Sequence, residues 1–241
     1  MGLFDETFNE LERFLEGRSP RRSWRISTES EWPPGGRRNI VLGDDVGVEL
    51  GNPEKGSVSC IIWTGRENQI RDGAVTLLGP DIPESLGESL PYGKIVSVEV
   101  GGFNEENTYD RYREMESVKY DLDLKGYMLR AVSQYQREWC RISRGAIREG
   151  FTFQVLGRAL IDRLKECEYV RGVEIVFVTS SASDVADLGE ITAGVTRIVG
   201  AMHKMVEEFS LDCNTCEYQD VCTEVGELRG MRKVLQKKRG D

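Results

Sequence analysis

The chain is 241 residues long, with a formal net charge of −9, 39% hydrophobic and 30% charged residues. A chain of this size can hide roughly 70–75% of its unfolded surface, and the composition is that of a globular protein rather than a disordered one. The acidic balance excludes general nucleic-acid affinity, and the single histidine excludes a multi-histidine metal site and speaks against a Ser-His-Asp triad.

No apolar run approaches the ~18–20 residues of a membrane span. The acidic first segment lacks the basic start of a signal peptide. The expectation is a cytoplasmic protein with no membrane partner, whose six cysteines are not a disulfide framework. Charge is unevenly spread: residues 18–38 carry net +4 and residues 229–241 net +5, against −14 over 39–228. The basic flanks are read either as solvated surface or as docking sites for an acidic or phosphate-bearing partner.

Phe4, Phe8, Leu11 and Leu15 form one apolar stripe and predict a first helix ending near Gly17. Ser19 to Gly36, with three prolines and paired glycines, predicts an irregular connection. Short β-rich runs follow at Ile40–Leu42, Val46–Leu50, Val58–Trp63, Ala74–Leu78 and Lys94–Val100. Residues 105–136 read as helical, interrupted by Gly126. Trp139–Ile142 predicts a strand, Ala146–Glu149 a short helix, and Gln154–Cys167 a longer one on the stripe Leu156, Leu160, Leu164. Val173–Val178 predicts a strand, Ser180–Asp184 the cap of a helix to about Phe209, and Val225–Lys238 a last helix.

Strands first and helices later favour an α+β fold: a mostly antiparallel sheet in the N-terminal half with helices packed on it, and C-terminal helices flanking a cysteine-rich loop. The expected divisions are a helix and Arg-rich linker (1–38), an α+β domain (39–180) and a helical cysteine segment (181–241). Neither GxGxxG nor a Walker GK[ST] motif is present.

The chemistry concentrates at Cys213, Cys216 and Cys222, a C-x2-C-x5-C cluster. Thiolates suit soft metals, and a two-residue gap lets two sulfurs reach one centre. Three thiolates leave one position of a [4Fe–4S] cube or of tetrahedral zinc to another donor: Cys60, Cys140, Cys167, His203, a partner's residue or a small molecule. Cysteines that pack without any metal are the other reading.

From about Gly43 to Cys222 the sequence resembles acetyl-CoA synthase, the beta subunit of the CO dehydrogenase/acetyl-CoA synthase complex. The segments that carry the resemblance are VGVELG (46–51), IRDGAVTLLGPDIPE (70–84), LPYGKIVSVEV (90–100), REWCRISRGAIREGFTFQVLGRALIDRLK (137–165) and VEIVFVTS (173–180). They cover the middle domain and the start of the metal-bearing domain. The resemblance implies that Cys213, Cys216 and Cys222 sit where the first three A-cluster cysteines would sit. No cysteine follows Cys222, and the Cys-Gly-Cys motif for the outer nickel is absent. The expectation is therefore a simple iron–sulfur cluster, with zinc as the alternative, and no complete nickel A-cluster.

The resemblance also implies CoA contact at Trp139 and Arg141, and docking of a corrinoid iron–sulfur protein or a CO dehydrogenase-type partner. Arginine is a bidentate donor for pyrophosphate and tryptophan stacks on adenine; Trp139 as a core residue is the competing reading. The expected role is an accessory protein of anaerobic one-carbon and corrinoid metabolism rather than an acetyl-CoA synthase. The alternative is a CoA-binding protein or CoA-dependent enzyme with structural cysteines.

Overall fold

The computed structural model describes residues 2–26, 31–36, 39–85, 87–133, 137–207 and 216–239. Helix α1 (Asp5–Glu16) forms on its apolar stripe, burying Leu11, Phe14 and Leu15. Asp5 and Glu6 stand in its first turn, where the helix dipole favours negative charge. Just before it, Phe4 meets Trp63 edge-on, with ring centroids 4.6 Å apart.

The next element departs from the sequence reading. Residues Arg21–Arg25 form strand β1 rather than an irregular connection. Only Trp24 is apolar among arginines and a serine, so the alternation is too faint to read as a strand. Proline just ahead fits a strand at a sheet edge, and β1 is one edge of the larger sheet.

That sheet also holds β3 (Ser57–Thr64), β4 (Ala74–Leu78), β5 (Tyr92–Val100) and β8 (Val170–Val178). Its order is β1-β4-β8-β5-β3. Strands β3/β5 and β4/β8 run parallel, whereas β5/β8 and β1/β4 run antiparallel. A smaller antiparallel sheet orders β2 (Val46–Leu50), β7 (Arg137–Ser143) and β6 (Tyr127–Ser133) as β2-β7-β6. Four of the six pairings are antiparallel, and the fold is α+β as expected.

Helices cover both faces of the larger sheet. Successive strand residues point to opposite faces. Phe177 packs on Phe153 of helix α4 (Phe153–Leu164), centroids 4.8 Å apart. Val178 and its partner Gly93 face the other way, toward Leu188 of helix α5 (Ala182–Glu207). A Cβ on Gly93 would come within 2.7 Å of Leu188, so that helix sits where only glycine lets it. Helix α1 packs on α5 in turn. The remaining helices are α2 (Thr108–Ser117), α3 (Arg144–Glu149), α6 (Gln219–Glu224) and α7 (Gly226–Arg239). Ser143 caps α3 by accepting from the Ala146 N–H at 3.1 Å, and Thr152 caps α4.

Two further readings are corrected. Of the helical stretch expected over 105–136, only α2 and a 3-10 turn at Val118–Tyr120 are helical among the described residues; β6 follows. Gly126, at φ +76°, sits between them with Ser143 and Ala146 too close for a Cβ, so it is a turn into the strand. Ile40–Leu42 forms no strand: Asn39 instead pairs by its side chain with Leu124, Gly126 and Tyr127, leaving Ile40 and Leu42 exposed.

Candidate functional site

Strand β7 alternates. Glu138, Cys140 and Ile142 point into the core, while Trp139 and Arg141 share the outer face of the smaller sheet. Register places Glu49 opposite Arg141, and Arg141 Nε donates to Glu49 Oε1 at 2.8 Å. The register between β6 and β7 shifts between Leu129 and Ala131, so Arg130 is the extra residue of a bulge. Its guanidinium lies over the Trp139 ring, 4.4 Å from the centroid, with that of Arg141 at 5.7 Å.

The structure thus brings together the two residues singled out in sequence and adds Arg130, which the sequence reading missed. A bulge leaves no mark in a single sequence. Trp139 Nε1 is buried and has no hydrogen-bond partner among the described residues. Beside this face a cleft of about 510 Å3 runs along β6 and the 119–123 segment, with Arg130 and Lys119 on its wall. Volumes of ~300–1,000 Å3 are those of ligand pockets. Two guanidinium groups beside an indole place bidentate anion donors next to an aromatic ring.

Beneath that face lies a buried ion network absent from the sequence reading. Lys94 of β5 contacts both oxygens of Glu138, at 2.8 and 2.6 Å, and their side chains are only 5% and 1% exposed. Ser59 donates to Glu138 at 2.8 Å, and Lys119 stands 3.8 Å away, held by Glu116 at 2.6 Å. Burial drives the Glu138 carboxyl up, but Lys94, Lys119 and Ser59 outweigh it and hold it below the ordinary value. Burial lowers Lys119, and Glu116 and Glu138 more than reverse that. The network ties the two sheets together directly under Trp139.

Of the sulfur candidates, Cys213 lies outside the described residues. Cys216 and Cys222 line one cavity of about 20 Å3, with Lys204 and Arg232 on its wall. That is room for a body the size of one water. Arg232 Nε is buried with no hydrogen-bond partner among the described residues. Two thiol side chains thus face a basic wall, on which Lys204 also pairs with Glu217 at 3.4 Å. Among the described residues no group of three or more His, Cys, Asp or Glu is placed to hold a metal ion.

The other cysteine candidates lie in the interior. Cys60, Cys140 and Cys167 are buried, and burial pushes each thiol up, that of Cys140 to about 12. Cys140 also stands 3.3 Å from the Tyr127 hydroxyl. His203 Nδ1 is engaged by the Tyr109 hydroxyl at 2.6 Å. Among the described residues no helix is long and apolar enough to cross a membrane.

Comparison with known proteins gives a consistent result. A family model described as CO dehydrogenase/acetyl-CoA synthase complex beta subunit matches residues 36–184. The carbon monoxide dehydrogenase/acetyl-CoA synthase subunit alpha of Moorella thermoacetica is 30% identical over 136 residues, 56% of this chain and 18% of that protein. The acetyl-CoA decarbonylase/synthase complex subunit beta of Archaeoglobus fulgidus is 25% identical over 204 residues, 80% of this chain and 38% of its own length. The same subunit from Methanothermobacter thermautotrophicus is 28% identical over 119 residues, 48% of this chain and 25% of its own. The chain therefore spans well under half of each of these relatives. Trp139 and Arg141 lie inside the family match; Cys213, Cys216 and Cys222 lie beyond it.

Proposed function

The chain belongs to the CO dehydrogenase/acetyl-CoA synthase complex beta subunit family, and from that premise we propose that it is an accessory protein of one-carbon metabolism that holds coenzyme A on the open face of its smaller sheet. The observation that carries this reading is the stack of Arg130 on Trp139 beside Arg141 on the outer face of the smaller sheet. Arg130 and Arg141 take the phosphates, and the cleft along β6 receives the rest of the molecule. In this reading the 39–180 unit carries the ligand and the 181–241 segment the sulfur donors. Its partner is a CO dehydrogenase-type protein, the kind of complex in which its relatives are named, or a corrinoid iron–sulfur protein.

Titration with CoA, followed by tryptophan fluorescence and calorimetry, tests the reading. Saturable binding is expected, lost in Trp139→Phe by fluorescence and weakened about tenfold or more by Arg130→Ala, since hydrogen bonds to charged groups contribute ~1.5–3 kcal/mol. Absence of saturable heat, or equal binding by Arg130→Ala, removes it.

A second reading rests on a separate observation, the convergence of Cys216 and Cys222 on one cavity walled by Arg232. With Cys213 as third donor these thiols would hold an iron–sulfur cluster of the [4Fe–4S] type only if the segment around them opens, since a cavity of about 20 Å3 takes no more than a single ion or water; the cluster would supply electron transfer when bound. Anaerobic purification with iron, sulfide and zinc analysis and electron paramagnetic resonance decides. Stoichiometric iron and sulfide, lost in Cys216→Ala, supports the cluster; stoichiometric zinc replaces it with a structural site; neither metal leaves the cysteines as packing residues.

A further inference from the structure

A second cleft, of about 700 Å3, opens where the parallel strands β3 and β5 end. Trp63, at the end of β3, and Phe103, just past β5, form an aromatic floor with centroids 5.8 Å apart. The walls come from the two flanks of the chain: Leu3 and Asp5 at the start of α1, and Glu227 and Met231 of α7. Both flanks lie outside the family match of 36–184. The cleft is thus made by this chain on the family's framework and does not belong to the matched segment alone.

Part of the charge in it is already matched. Asp5 pairs with Arg66 at 2.6 Å and accepts from the Gly2 N–H at 2.7 Å. The Glu227 carboxyl accepts a backbone hydrogen bond from Leu3. Two further charges, of opposite sign, make neither kind of contact. Among the described residues, the side chains of Arg171 and Glu105 make no hydrogen bond and no ion pair. Each is seated on a glycine. A Cβ on Gly101 would lie 2.6 Å from Arg171 Nε, and one on Gly230 of α7 would lie 2.9 Å from Glu105 Cγ. The missing side chains let an unspent guanidinium and an unspent carboxylate lie along the cleft wall, above an apolar floor.

We propose that this cleft binds a small zwitterion with an apolar body, of which a short peptide with free ends is the simplest kind. Its carboxylate pairs with Arg171, its ammonium with Glu105, and its side chains rest on Trp63 and Phe103. A purely anionic ligand would meet Glu105 unpaired, and a purely cationic one would do the same to Arg171. Binding here is independent of the CoA reading, because none of these residues lies on the smaller sheet.

Calorimetry with the dipeptide phenylalanyl-leucine, and with its N-acetyl and C-amide forms, tests the proposal on the full chain. The free dipeptide is expected to bind saturably, and each cap to weaken it about tenfold or more, the scale of one charge-assisted hydrogen bond. Arg171→Met should abolish the effect of the C-amide and Glu105→Gln that of the N-acetyl group. Gly101→Ala, which displaces the guanidinium without removing it, should behave as Arg171→Met does. These positions are on the surface, so unchanged melting temperatures verify that the variants fold. No saturable heat from the free dipeptide, or equal binding by a doubly capped one, overturns the proposal.

Discussion

Breaking the ion pair beneath Trp139 is expected to cost a large part of the stability of this protein. Lys94 and Glu138 are 5% and 1% exposed, with contacts of 2.8 and 2.6 Å, and removing one partner of a buried pair costs ~3–5 kcal/mol. Lys94→Met sits near the lower figure, because Lys119 remains 3.8 Å from the carboxylate. Glu138→Gln sits near the upper, because Lys94 is left as a buried cation without a counter-charge. At ~2–4 °C per kcal/mol for a chain of this length, melting falls by roughly 6–20 °C. Replacing both together, Lys94→Met with Glu138→Leu, should recover most of the loss, since apolar substitutes for a buried pair are often neutral. The pH dependence has a definite sign. The wild-type carboxyl is held below its usual 4.5, so its contribution is complete above that value and drains away as pH falls through the lower folded one. In Lys94→Met burial prevails and raises the carboxyl, so that variant's deficit shrinks as pH falls. Urea unfolding at several pH values reads both effects. Losses under ~1 kcal/mol for both single variants, or a double variant as unstable as their sum, would refute the reasoning.

Glu84 should titrate at about 2 by carbon NMR, since its hydrogen bonds with Arg22 favour the carboxylate, and Arg22→Ala should return it toward 4.5. Both side chains are more than a third exposed, so little stability follows. Gly157→Ala, normally worth up to ~1 kcal/mol in a helix, should instead destabilise by about 1–3 kcal/mol, because its Cβ would lie 2.7 Å from Val75 Cγ2. A raised urea midpoint would contradict that. Cys60 and Cys140, buried with their thiols pushed up, should resist iodoacetamide at pH 8 until urea unfolds the chain; rapid native labelling of either counts against their placement.

What was legible in the sequence was whatever repeats on one element. The stripe of Phe4, Leu11 and Leu15 marked α1, and the alternation of Val96, Val98 and Val100 marked β5. What needed the structure was whatever depends on two distant elements. Lys94 and Glu138 are 44 positions apart, and nothing local to either announces the other. Strand β6 hid behind a helical reading because the bulge at Arg130 breaks its period of two, and β1 because its only apolar residue is Trp24. The candidate face was half legible: Trp139 and Arg141 came from the resemblance, Arg130 from geometry alone. The cysteine spacing was visible, yet the described residues place only Cys216 and Cys222 on a shared cavity.

The ion pair and the proposed ligand face are two sides of one strand. A one-residue slip of β7 would turn Glu138 outward and Trp139 into the core, so the bolt at Glu138 fixes which residues the outer face presents. If register is its whole contribution to the ligand face, stability and CoA affinity should move together. Lys94→Met should weaken both, and Lys94→Met with Glu138→Leu should restore both, because a leucine at 138 is held in the interior as firmly as the paired glutamate. Calorimetric titration of CoA beside urea unfolding on the same three proteins reads this directly. Stability regained without affinity would mean that the buried charges act on the ligand through their field, and the register account would fail.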